Sequence, residues 1–330
     1  MGRAVITGLG TYVPERILSN HDLEQLVDTN DAWIVSRTGI RERRLARDDQ
    51  ATSDMAYEAS ARALADAHVE ASSLDFIIVA TNTPDTLFPS TAARLQARLS
   101  EKPIPGVDVQ AGCTGWIYGL QMGAAFIEAN MYQRVLVVAS DKLSSIVDYE
   151  DRSTAVLFGD GAGAVVLESG PAGTPFGILA SYLNADGRGA DLLALPAGGS
   201  RSPASRETVD SRLHFLKMSG NDVFRFAVKA LPEAVEVGLA RGGLSLQDMD
   251  LLVPHQANER IIDAARRQLN VAEHKVVKNI ERYGNTSVAS IPLALEEVRQ
   301  DGRLVDGMVV VLAAFGSGLT WGSTVVRWGK

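Results

Sequence analysis

The feature of this 330-residue sequence that most limits its fold is an internal repeat. One segment begins at Asp54 and another at Asp222, and each has the pattern of an amphipathic helix, a polar turn and a short apolar strand. In both copies a further helix and a predicted strand follow, GVDVQAG leading to Cys113 and KVVKNIERYG leading to Asn285. Corresponding points lie about 170 positions apart, close to half of the chain, which indicates a duplicated unit.

Each copy continues with another helix and a buried strand, and ends in predicted strands around a glycine-rich turn, STAVLFGDGAGAVVLE in the first copy and LTWGSTVVRW in the second. Alternating helices and near-continuous apolar strands predict an α/β protein of two halves, 1–172 and 173–330. The Gly-, Pro-, Ser- and Arg-rich stretch 187–217 breaks this pattern and is predicted to be an excursion, for which control of access to a site is one role.

Composition excludes several classes of protein. With 46% hydrophobic and 22% charged residues the chain is expected to fold around a sizeable core. Its net charge of −8 is opposite to the basic surplus of a nucleic-acid-binding protein, and its apolar runs fall short of the roughly 20 residues that span a bilayer. One cysteine, five scattered histidines and no signal-peptide pattern argue against disulfides and metal clusters and predict a cytoplasmic location.

Three polar residues are predicted at the carboxyl ends of strands, where open α/β sheets usually bind ligands: Cys113, His255 and Asn285. Helical spacing after Cys113 places its thiol at a helix N-terminus, where the helix dipole favours the nucleophilic thiolate. Each residue also has a purely structural interpretation, as a buried cysteine, a hydrogen-bonded core histidine and a Gly-Asn turn.

A Cys, His and Asn set suits two chemistries. In a thiol hydrolase the asparagine orients the histidine, which activates the thiol. In a decarboxylative condensation the histidine and asparagine both donate hydrogen bonds to a developing enolate oxygen. The three residues alone do not choose between these. A nucleotide site at the GDGAGA segment from Gly159 is disfavoured because a strand, not a helix, is predicted after it.

Several segments in this order resemble the β-ketoacyl-acyl carrier protein synthase III family of the thiolase-like superfamily. The resemblance covers essentially the full chain and rests on VDTNDAWIVSRTGIRERR, FPSTAARLQ, the Cys113 junction, FGDGAGAVVLE, KMSGNDVFRFAV, VPHQAN, RYGNTSVASIP and AFGSGLTWGS. It implies a thiolase-like fold, in which two duplicated α/β halves form a five-layer αβαβα arrangement.

The resemblance also implies a mechanism that needs no cofactor. Cys113 would take an acyl group from acyl-coenzyme A, in the first instance acetyl-coenzyme A, and malonyl-acyl carrier protein would then lose CO2 and attack the thioester, initiating type II fatty acid biosynthesis. His255 and Asn285 would stabilise the enolate, and the backbone amides of Cys113 and Ser317 would hold the thioester oxyanion. Many relatives have glycine where Ser317 stands.

Positions within the matching segments imply further roles. Trp33 and Arg152 would sandwich the adenine of coenzyme A, with Arg37 near its phosphates. The rest of the coenzyme A and pantetheine tunnel would be lined by Thr29, Gly220, Phe224, Ala257 and Asn258. The acidic carrier protein would dock on Arg225, Arg260 and Arg267.

Two aromatic residues are predicted to gate the acyl pocket. Phe88 resembles the residue that a partner subunit inserts, which implies a homodimer, and Trp116 replaces the phenylalanine that is common three residues after the nucleophile. The remaining alternatives are an acyltransferase or condensing enzyme of secondary metabolism, a thiol hydrolase and a non-catalytic scaffold. A thiolase is disfavoured because it would need a second catalytic cysteine.

Overall fold

The computed structural model describes residues 2–330 of the chain. In that part of the chain the strands are β1 (Ala4–Tyr12), β2 (Arg16–Ser19), β3 (Glu42–Leu45), β4 (Phe76–Ala80), β5 (Gly106–Val109), β6 (Arg134–Asp141), β7 (Gly161–Ser169), β8 (Gly177–Ala185), β9 (Leu193–Ala194), β10 (Lys217–Met218), β11 (Leu251–Pro254), β12 (Val309–Gly316) and β13 (Thr320–Arg327). The helices are α1 (Asn20–Leu23), α2 (Asp31–Thr38), α3 (Thr52–Ala67), α4 (Thr91–Leu99), α5 (Gly115–Glu128), α6 (Arg152–Ala155), α7 (Arg206–Asp210), α8 (Gly220–Arg241), α9 (Glu259–Gln268), α10 (Ile280–Tyr283) and α11 (Ser290–Gln300).

Two sheets with matching strand order form the framework. The larger sheet has the order β1-β7-β6-β4-β5, with β6, β4 and β5 parallel to one another and β7 antiparallel to both of its neighbours. The smaller sheet has the order β8-β13-β12-β11, with β11 and β12 parallel and β13 antiparallel to both of its neighbours. The two sheets therefore repeat one topology, as the internal repeat predicts.

The helices complete five layers. Helices α3 and α4 pack on the outer face of the larger sheet, α8 and α9 cover the outer face of the smaller one, and α5 and α11 lie between the two sheets. The central layer is fully buried at Ile117, Leu120 and Leu295. This is the αβαβα order that the family resemblance implies. The boundary between 1–172 and 173–330 stays a prediction.

The predicted strand KVVKNIERYG is wrong. Only an isolated bridge joins Val276 to Leu252 of β11, at the place where the second sheet would gain its fifth strand. The Gln256 side chain binds this segment instead, because its amide donates to the Val277 carbonyl (3.1 Å) and its oxygen accepts from Asn279 N (3.1 Å). The chain then turns into α10, so that Asn285 follows a short helix rather than a strand.

A second predicted strand, in the STAVLF part of the first copy, is also wrong. Residues 152–155 form the helical turn α6. Asp151, the residue just before it, accepts a hydrogen bond from Ser153 N through its carboxylate (2.9 Å). An aspartate at a helix start favours helix over strand, since it satisfies a free amide. The strand of this copy begins only at Gly161.

The excursion 187–217 folds over one end of the sheets. It contains α7 and the small β9–β10 sheet, and Leu216 N donates to the Ile146 carbonyl (2.8 Å). Asp148 is buried and accepts hydrogen bonds from both Arg212 and Lys217 of the excursion. The hydrogen bonds from Arg212 lower the pKa of Asp148 to about 2. No helix in residues 2–330 is both long and apolar enough to cross a membrane.

We expect Asp148→Asn to release the excursion, since its contacts with Arg212 and Lys217 then lose one charge. Trypsin should cut after the exposed Arg201 or Arg206 about tenfold faster than in the unchanged protein, a loss of roughly 1.4 kcal/mol in local stability. In the unchanged protein the same contact is present above the ordinary aspartate pKa and is lost as the pH falls towards 2. Asp301→Asn, at the exposed pair with Arg303, is the matched control. Equal cleavage rates in the two variants would contradict the role of Asp148 in holding the excursion in place.

Candidate active site

Cys113 lies four residues beyond the end of β5 and two residues before α5, which places it at the predicted helix N-terminus. Gly112, just before it, has a φ of 56°, a conformation that favours glycine. The following Thr114 is buried, and its hydroxyl accepts a hydrogen bond from Thr320 Oγ1 (3.1 Å) of β13. The first half of the chain therefore supplies Cys113, and the second half holds the turn that carries it.

Two glycines, Gly112 and Gly316, allow the backbone at Cys113 and the backbone at Ser317 to pack closely together. A Cβ atom at Gly112 would lie 2.6 Å from Ser317 N, and one at Gly316 would collide with Cys113 N. Only glycine fits at these contacts, because the neighbouring atoms belong to the backbone. The amides of Cys113 and Ser317 are consequently close in space, as the oxyanion-hole hypothesis requires.

His255 follows β11 directly and is 1% exposed. Its Nδ1 lies 2.7 Å from Ser290 Oγ, and its ring packs edge-on against Phe315. Ser290 Oγ also accepts a hydrogen bond from Gln256 N (3.3 Å), and His255 Nδ1 is the acceptor within reach of its own proton. This arrangement favours the tautomer that carries its proton on Nε2. Burial also lowers the pKa of His255 to about 3, which keeps the imidazole neutral.

Asn285 is held through both its backbone and its side chain. Its N–H donates to the Leu157 carbonyl (2.8 Å), and its carbonyl accepts from Gly159 N (3.0 Å), so the GDGAGA segment positions this residue. The side-chain Oδ1 accepts from Ser287 N (2.9 Å). Because the amide oxygen is engaged in this way, the Asn285 NH2 group is left as a donor.

One cavity brings the three predicted residues together. Cys113, His255 and Asn285 all line it, although they come from three different connections in two halves of the chain. The other lining residues come mainly from the start of α8 and α9, with Leu193 from the excursion: Leu157, Phe158, Leu193, Met218, Gly220, Val223, Phe224, Ala257, Asn258, Ile261, Phe315 and Gly316. Gly220, Phe224, Ala257 and Asn258 are among them, and their role in a pantetheine tunnel stays a prediction.

The helix N-terminus is expected to favour the thiolate of Cys113, but burial outweighs this effect. Burial raises the pKa of the Cys113 thiol to about 12; a hydrogen bond from Ser287 lowers the pKa, and the charge of Asp141 raises it. The residue keeps partial exposure through the cavity, but the protein atoms around its sulfur desolvate it. Desolvation disfavours the charged form more than the helix terminus favours it. The site therefore holds a neutral thiol beside a neutral imidazole.

The residues predicted for the adenine end lie apart from this cavity. Trp33 of α2 is half-buried, with the Arg152 guanidinium 4.8 Å and the Arg37 guanidinium 5.3 Å from its ring centroid. An adenine between Trp33 and Arg152 needs about 7 Å, two van der Waals separations, so Arg152 has to move when such a ring enters. Thr29 lies in the loop just before α2, at the same end.

The three arginines predicted to dock the carrier protein lie on α8 and α9. Arg225 is in the second turn of α8 and is exposed, and Arg260, at the start of α9, lies over the ring of Phe224 at the cavity (5.4 Å). Arg267 is exposed near the end of α9, about 10 Å further along the helix axis. Arg260 therefore borders the cavity, Arg225 follows the cavity residue Phe224 along α8, and Arg267 lies further from the cavity.

The two aromatic residues predicted as gates differ in position. Phe88 is 84% exposed, next to the equally exposed Leu87. Trp116 is fully buried in the core between the sheets and lines neither of the cavities that include Cys113. At the second position of α5 its ring points into the central layer, so proximity in sequence does not place it beside the thiol. Its role as a gate is not supported by this position.

A second cavity, of about 140 Å³, opens on the other side of Cys113. Its walls are largely apolar and come mainly from the loop after β6 and from the excursion. The lining residues are Asn82, Gln110, Gly112, Cys113, Leu143, Ile146, Phe158, Leu193, Ala194, Leu195, Leu216, Ser287 and Ser317. Sequence reasoning did not single out Asn82, Ser287 or Ser290. Ser287 and Ser290 lie inside the quoted segment RYGNTSVASIP, but small hydroxyl residues there also read as a helix start. Within residues 2–330 no group of acidic, histidine or cysteine side chains is arranged to hold a metal ion.

Comparison with known proteins agrees with this geometry. Sequence profiles described as 3-oxoacyl-[acyl-carrier-protein] synthase III and its C-terminal part match residues 107–187 and 239–328. The β-ketoacyl-[acyl-carrier-protein] synthase III of Caldanaerobacter subterraneus subsp. tengcongensis is 52% identical over 327 residues, covering 99% of this chain and 98% of that protein.

Two solved structures are similar throughout. The 3-oxoacyl-(acyl carrier protein) synthase III of Pseudomonas aeruginosa PAO1 has a TM-score of 0.92 at 43% identity, with 99% of each chain covered. A priming β-ketosynthase of the R1128 polyketide biosynthetic pathway has a TM-score of 0.91 at 34% identity, covering 98% of this chain and 96% of that one.

The fold is thus that of the thiolase-like condensing enzymes, two duplicated α/β halves in five layers. Within that class the chain belongs to the β-ketoacyl-[acyl-carrier-protein] synthase III family.

We expect the Nε2–H tautomer of His255 to depend on Ser290. In protein labelled with ¹⁵N-histidine, the His255 signals should show a neutral ring with its proton on Nε2 from pH 8 down to about 4.5, because burial lowers its pKa to about 3. Ser290→Ala should give a mixture of tautomers and slow malonyl decarboxylation more than self-acylation. His255→Ala identifies the signals, and Ser153→Ala, at an exposed serine, is the control. An unchanged tautomer in Ser290→Ala would contradict the assignment.

Proposed function

We propose that this protein condenses an acyl-coenzyme A primer, acetyl-coenzyme A in the first instance, with malonyl-acyl carrier protein. The products are 3-oxoacyl-acyl carrier protein, coenzyme A and CO2, and the reaction initiates type II fatty acid biosynthesis. The observation that carries the proposal is the single cavity lined by Cys113, His255 and Asn285. Membership of the family supports the same reaction.

The first half-reaction transfers the acyl group to the enzyme. Cys113 Sγ attacks the thioester carbonyl carbon, a new S–C bond forms, the bond from that carbon to the coenzyme A sulfur breaks, and the thiol proton leaves with coenzyme A. The adjacent amides of Cys113 and Ser317 stabilise the negative charge on the carbonyl oxygen. Because the resting thiol is neutral, it has to lose its proton as it attacks.

The second half-reaction needs hydrogen-bond donors to the enolate oxygen rather than a charged base. The malonyl carboxylate leaves as CO2, the electrons of the broken C–C bond form an enolate, and the enolate carbon attacks the acyl-Cys113 thioester and releases the sulfur, which regains a proton. His255 Nε2–H and the Asn285 NH2 group donate to the enolate oxygen. A neutral imidazole suits this task, since its pKa is held well below its usual range.

The substrates are proposed to enter past α8 and α9. Gly220, Phe224, Ala257 and Asn258 contact the pantetheine arm, and Trp33, Arg37, Arg152 and Thr29 bind the nucleotide end of coenzyme A. The basic surface of Arg225, Arg260 and Arg267 attracts an acidic carrier protein, and complementary charge mainly speeds the encounter. The proposed activity uses no cofactor.

A role in secondary metabolism is the second candidate, supported by the similarity to the R1128 priming β-ketosynthase. That protein shares 34% of its aligned residues with this chain, against 52% for the Caldanaerobacter β-ketoacyl-[acyl-carrier-protein] synthase III, which favours fatty acid initiation. We place the protein in the cytoplasm, because its single cysteine acts as a free thiol and needs a reducing compartment.

The decisive experiment is acylation in the absence of malonyl-acyl carrier protein. Intact-mass analysis after incubation with acetyl-coenzyme A should show one acetyl group, absent in Cys113→Ser, because a hydroxyl is a far poorer nucleophile at neutral pH. Adding malonyl-acyl carrier protein should then give the 3-oxoacyl product. His255→Ala should lose at least about tenfold more activity in decarboxylation than in self-acylation.

Three outcomes of this experiment would contradict the proposal. The first is no adduct across a panel of straight and branched acyl-coenzyme A primers. The second is release of free acid without malonyl-acyl carrier protein, which would favour a hydrolase. The third is equal loss of both half-reactions in His255→Ala, which would assign the histidine to activation of the thiol.

We also propose a homodimer in which Phe88 reaches the partner's acyl pocket. Leu87 and Phe88 are 80% and 84% exposed on a single chain, and exposed apolar side chains side by side are typical of an interface. Sedimentation should therefore give twice the 35.3 kDa chain mass, and Leu87→Asp should shift the protein towards the monomer. Leu26→Asp, at another exposed leucine, is the control. A monomer at all concentrations would contradict the dimer.

A further inference from the structure

A chain of buried hydrogen bonds leads from a carboxylate in the larger sheet to the sulfur of Cys113. Asp141, the last residue of β6, is fully buried. Asn82 donates to it twice, through its backbone N–H (2.6 Å) and its side-chain Nδ2 (3.0 Å). Asn82 Nδ2 also lies 3.1 Å from Ser287 Oγ, and Ser287 Oγ lies 3.4 Å from Cys113 Sγ. These four side chains form a continuous path behind the second cavity.

The direction of every hydrogen bond in this path follows from Asp141. Its carboxylate accepts from backbone N–H groups of Asn82 and Thr83, so it acts as an acceptor. It therefore requires the NH2 group of Asn82 on its side, because the amide oxygen in that position would face a negative charge. The same NH2 group donates to Ser287 Oγ. That oxygen accepts from Asn82, and Cys113 Sγ is the acceptor that its own proton reaches (3.4 Å).

We propose that Ser287 is a positioning residue that stabilises the Cys113 thiolate, and that Asn82 and Asp141 act only by fixing the direction of its hydroxyl. The inference rests on the proposed role of Cys113 as the nucleophile. A hydrogen bond to the charged form of an acid favours that form, which offsets part of the desolvation of the sulfur. The path thereby lowers the barrier to deprotonation at a buried thiol.

The backbone of Ser287 gives this residue a second contact with the site. Its φ is 52°, uncommon for a residue other than glycine, and its N–H donates to Asn285 Oδ1. One residue thus holds the amide of Asn285 through its backbone and contacts the thiol through its side chain. Substitutions that remove only the hydroxyl separate these two contacts.

The other charged or titratable groups around the thiol are few. Among the residues that line the two cavities, His255 is the only titratable side chain besides Cys113 itself. Behind Asn82 lies Asp141, whose charge opposes ionisation of the thiol while its hydrogen bonds orient the path. A substitution at Ser287 or Asn82 alters neither charge, so a change in thiol reactivity reports on the hydrogen bond.

The test uses alkylation of the single cysteine by iodoacetamide, which requires neither coenzyme A nor a carrier protein. Only the thiolate reacts, its sulfur displacing iodide, so the rate rises with pH below the thiol pKa. Ser287→Ala should lower the second-order rate constant for alkylation about tenfold at each pH below the thiol pKa. The variant should reach the rate constant of the unchanged protein at a pH about one unit higher. Ser287→Gly should behave alike, and it suits the positive φ if Ser287→Ala does not fold.

A double substitution distinguishes orientation from simple support. Asn82→Ala alone should slow alkylation less than Ser287→Ala does, because a freed hydroxyl still reaches the sulfur part of the time. Ser287→Ala combined with Asn82→Ala should match Ser287→Ala alone, since Asn82 acts only through the hydroxyl. Ser140→Ala is the matched control: it removes a buried hydroxyl beside Asp141 that donates to the Thr52 carbonyl (2.8 Å) instead.

Two results would overturn the proposal: an alkylation profile of Ser287→Ala and Ser287→Gly equal to that of Ser140→Ala, or additive effects of Ser287→Ala and Asn82→Ala. The outcome is independent of the proposed condensation. A shifted alkylation profile in a protein that forms no acyl adduct would support the hydrogen-bond path and reject the function. An unshifted alkylation profile in an enzyme that does form the acyl adduct would support the function and reject the hydrogen-bond path.

Discussion

The packing of α5 and α11 between the two sheets is the interaction on which the site depends. Most residues of both helices are buried against apolar residues of the two sheets, so neither half can shift without disturbing the other. Cys113 lies at the start of α5 from the first half, and Ser290 begins α11 from the second. Packing two amphipathic helices into one core thus aligns a nucleophile with the residues that orient its partners.

Burial then determines what kind of chemistry this arrangement supports. A charged imidazole or a free thiolate would cost too much at this depth, and both groups are held in their neutral forms. Neutral N–H groups can still stabilise a transient anion, because their dipoles are already oriented before charge develops. The same burial makes the direction of each hydrogen bond important, and the fixed hydroxyls of Ser287 and Ser290 supply that direction.

The strongest sequence patterns were sufficient for the architecture and for the three converging residues. The repeat predicted two like sheets, and the apolar strands before Cys113 and His255 are where the periodicity put them. The strand predicted before Asn285 is absent because the side chain of Gln256, which lies outside that segment, forms hydrogen bonds with its backbone. Those backbone groups would otherwise have paired with a neighbouring strand. Hydrophobic periodicity shows that a segment tends to form a strand. Whether it pairs with a neighbouring strand depends on which of its backbone N–H and C=O groups remain free of other tertiary contacts.

Trp116 shows why proximity in sequence is a weak guide to proximity in a site. The residue stands three positions after Cys113, yet it lies in the first turn of α5, and its indole is buried in the central core. The walls around the thiol come from distant positions: Asn82 after β4, Leu143 after β6, and Leu195 and Leu216 in the excursion. The apolar part of that wall therefore comes from the excursion and from the loop after β6. The polar end of the wall at Asn82 is held by Asp141, and the excursion beside it is held to Asp148 through Arg212.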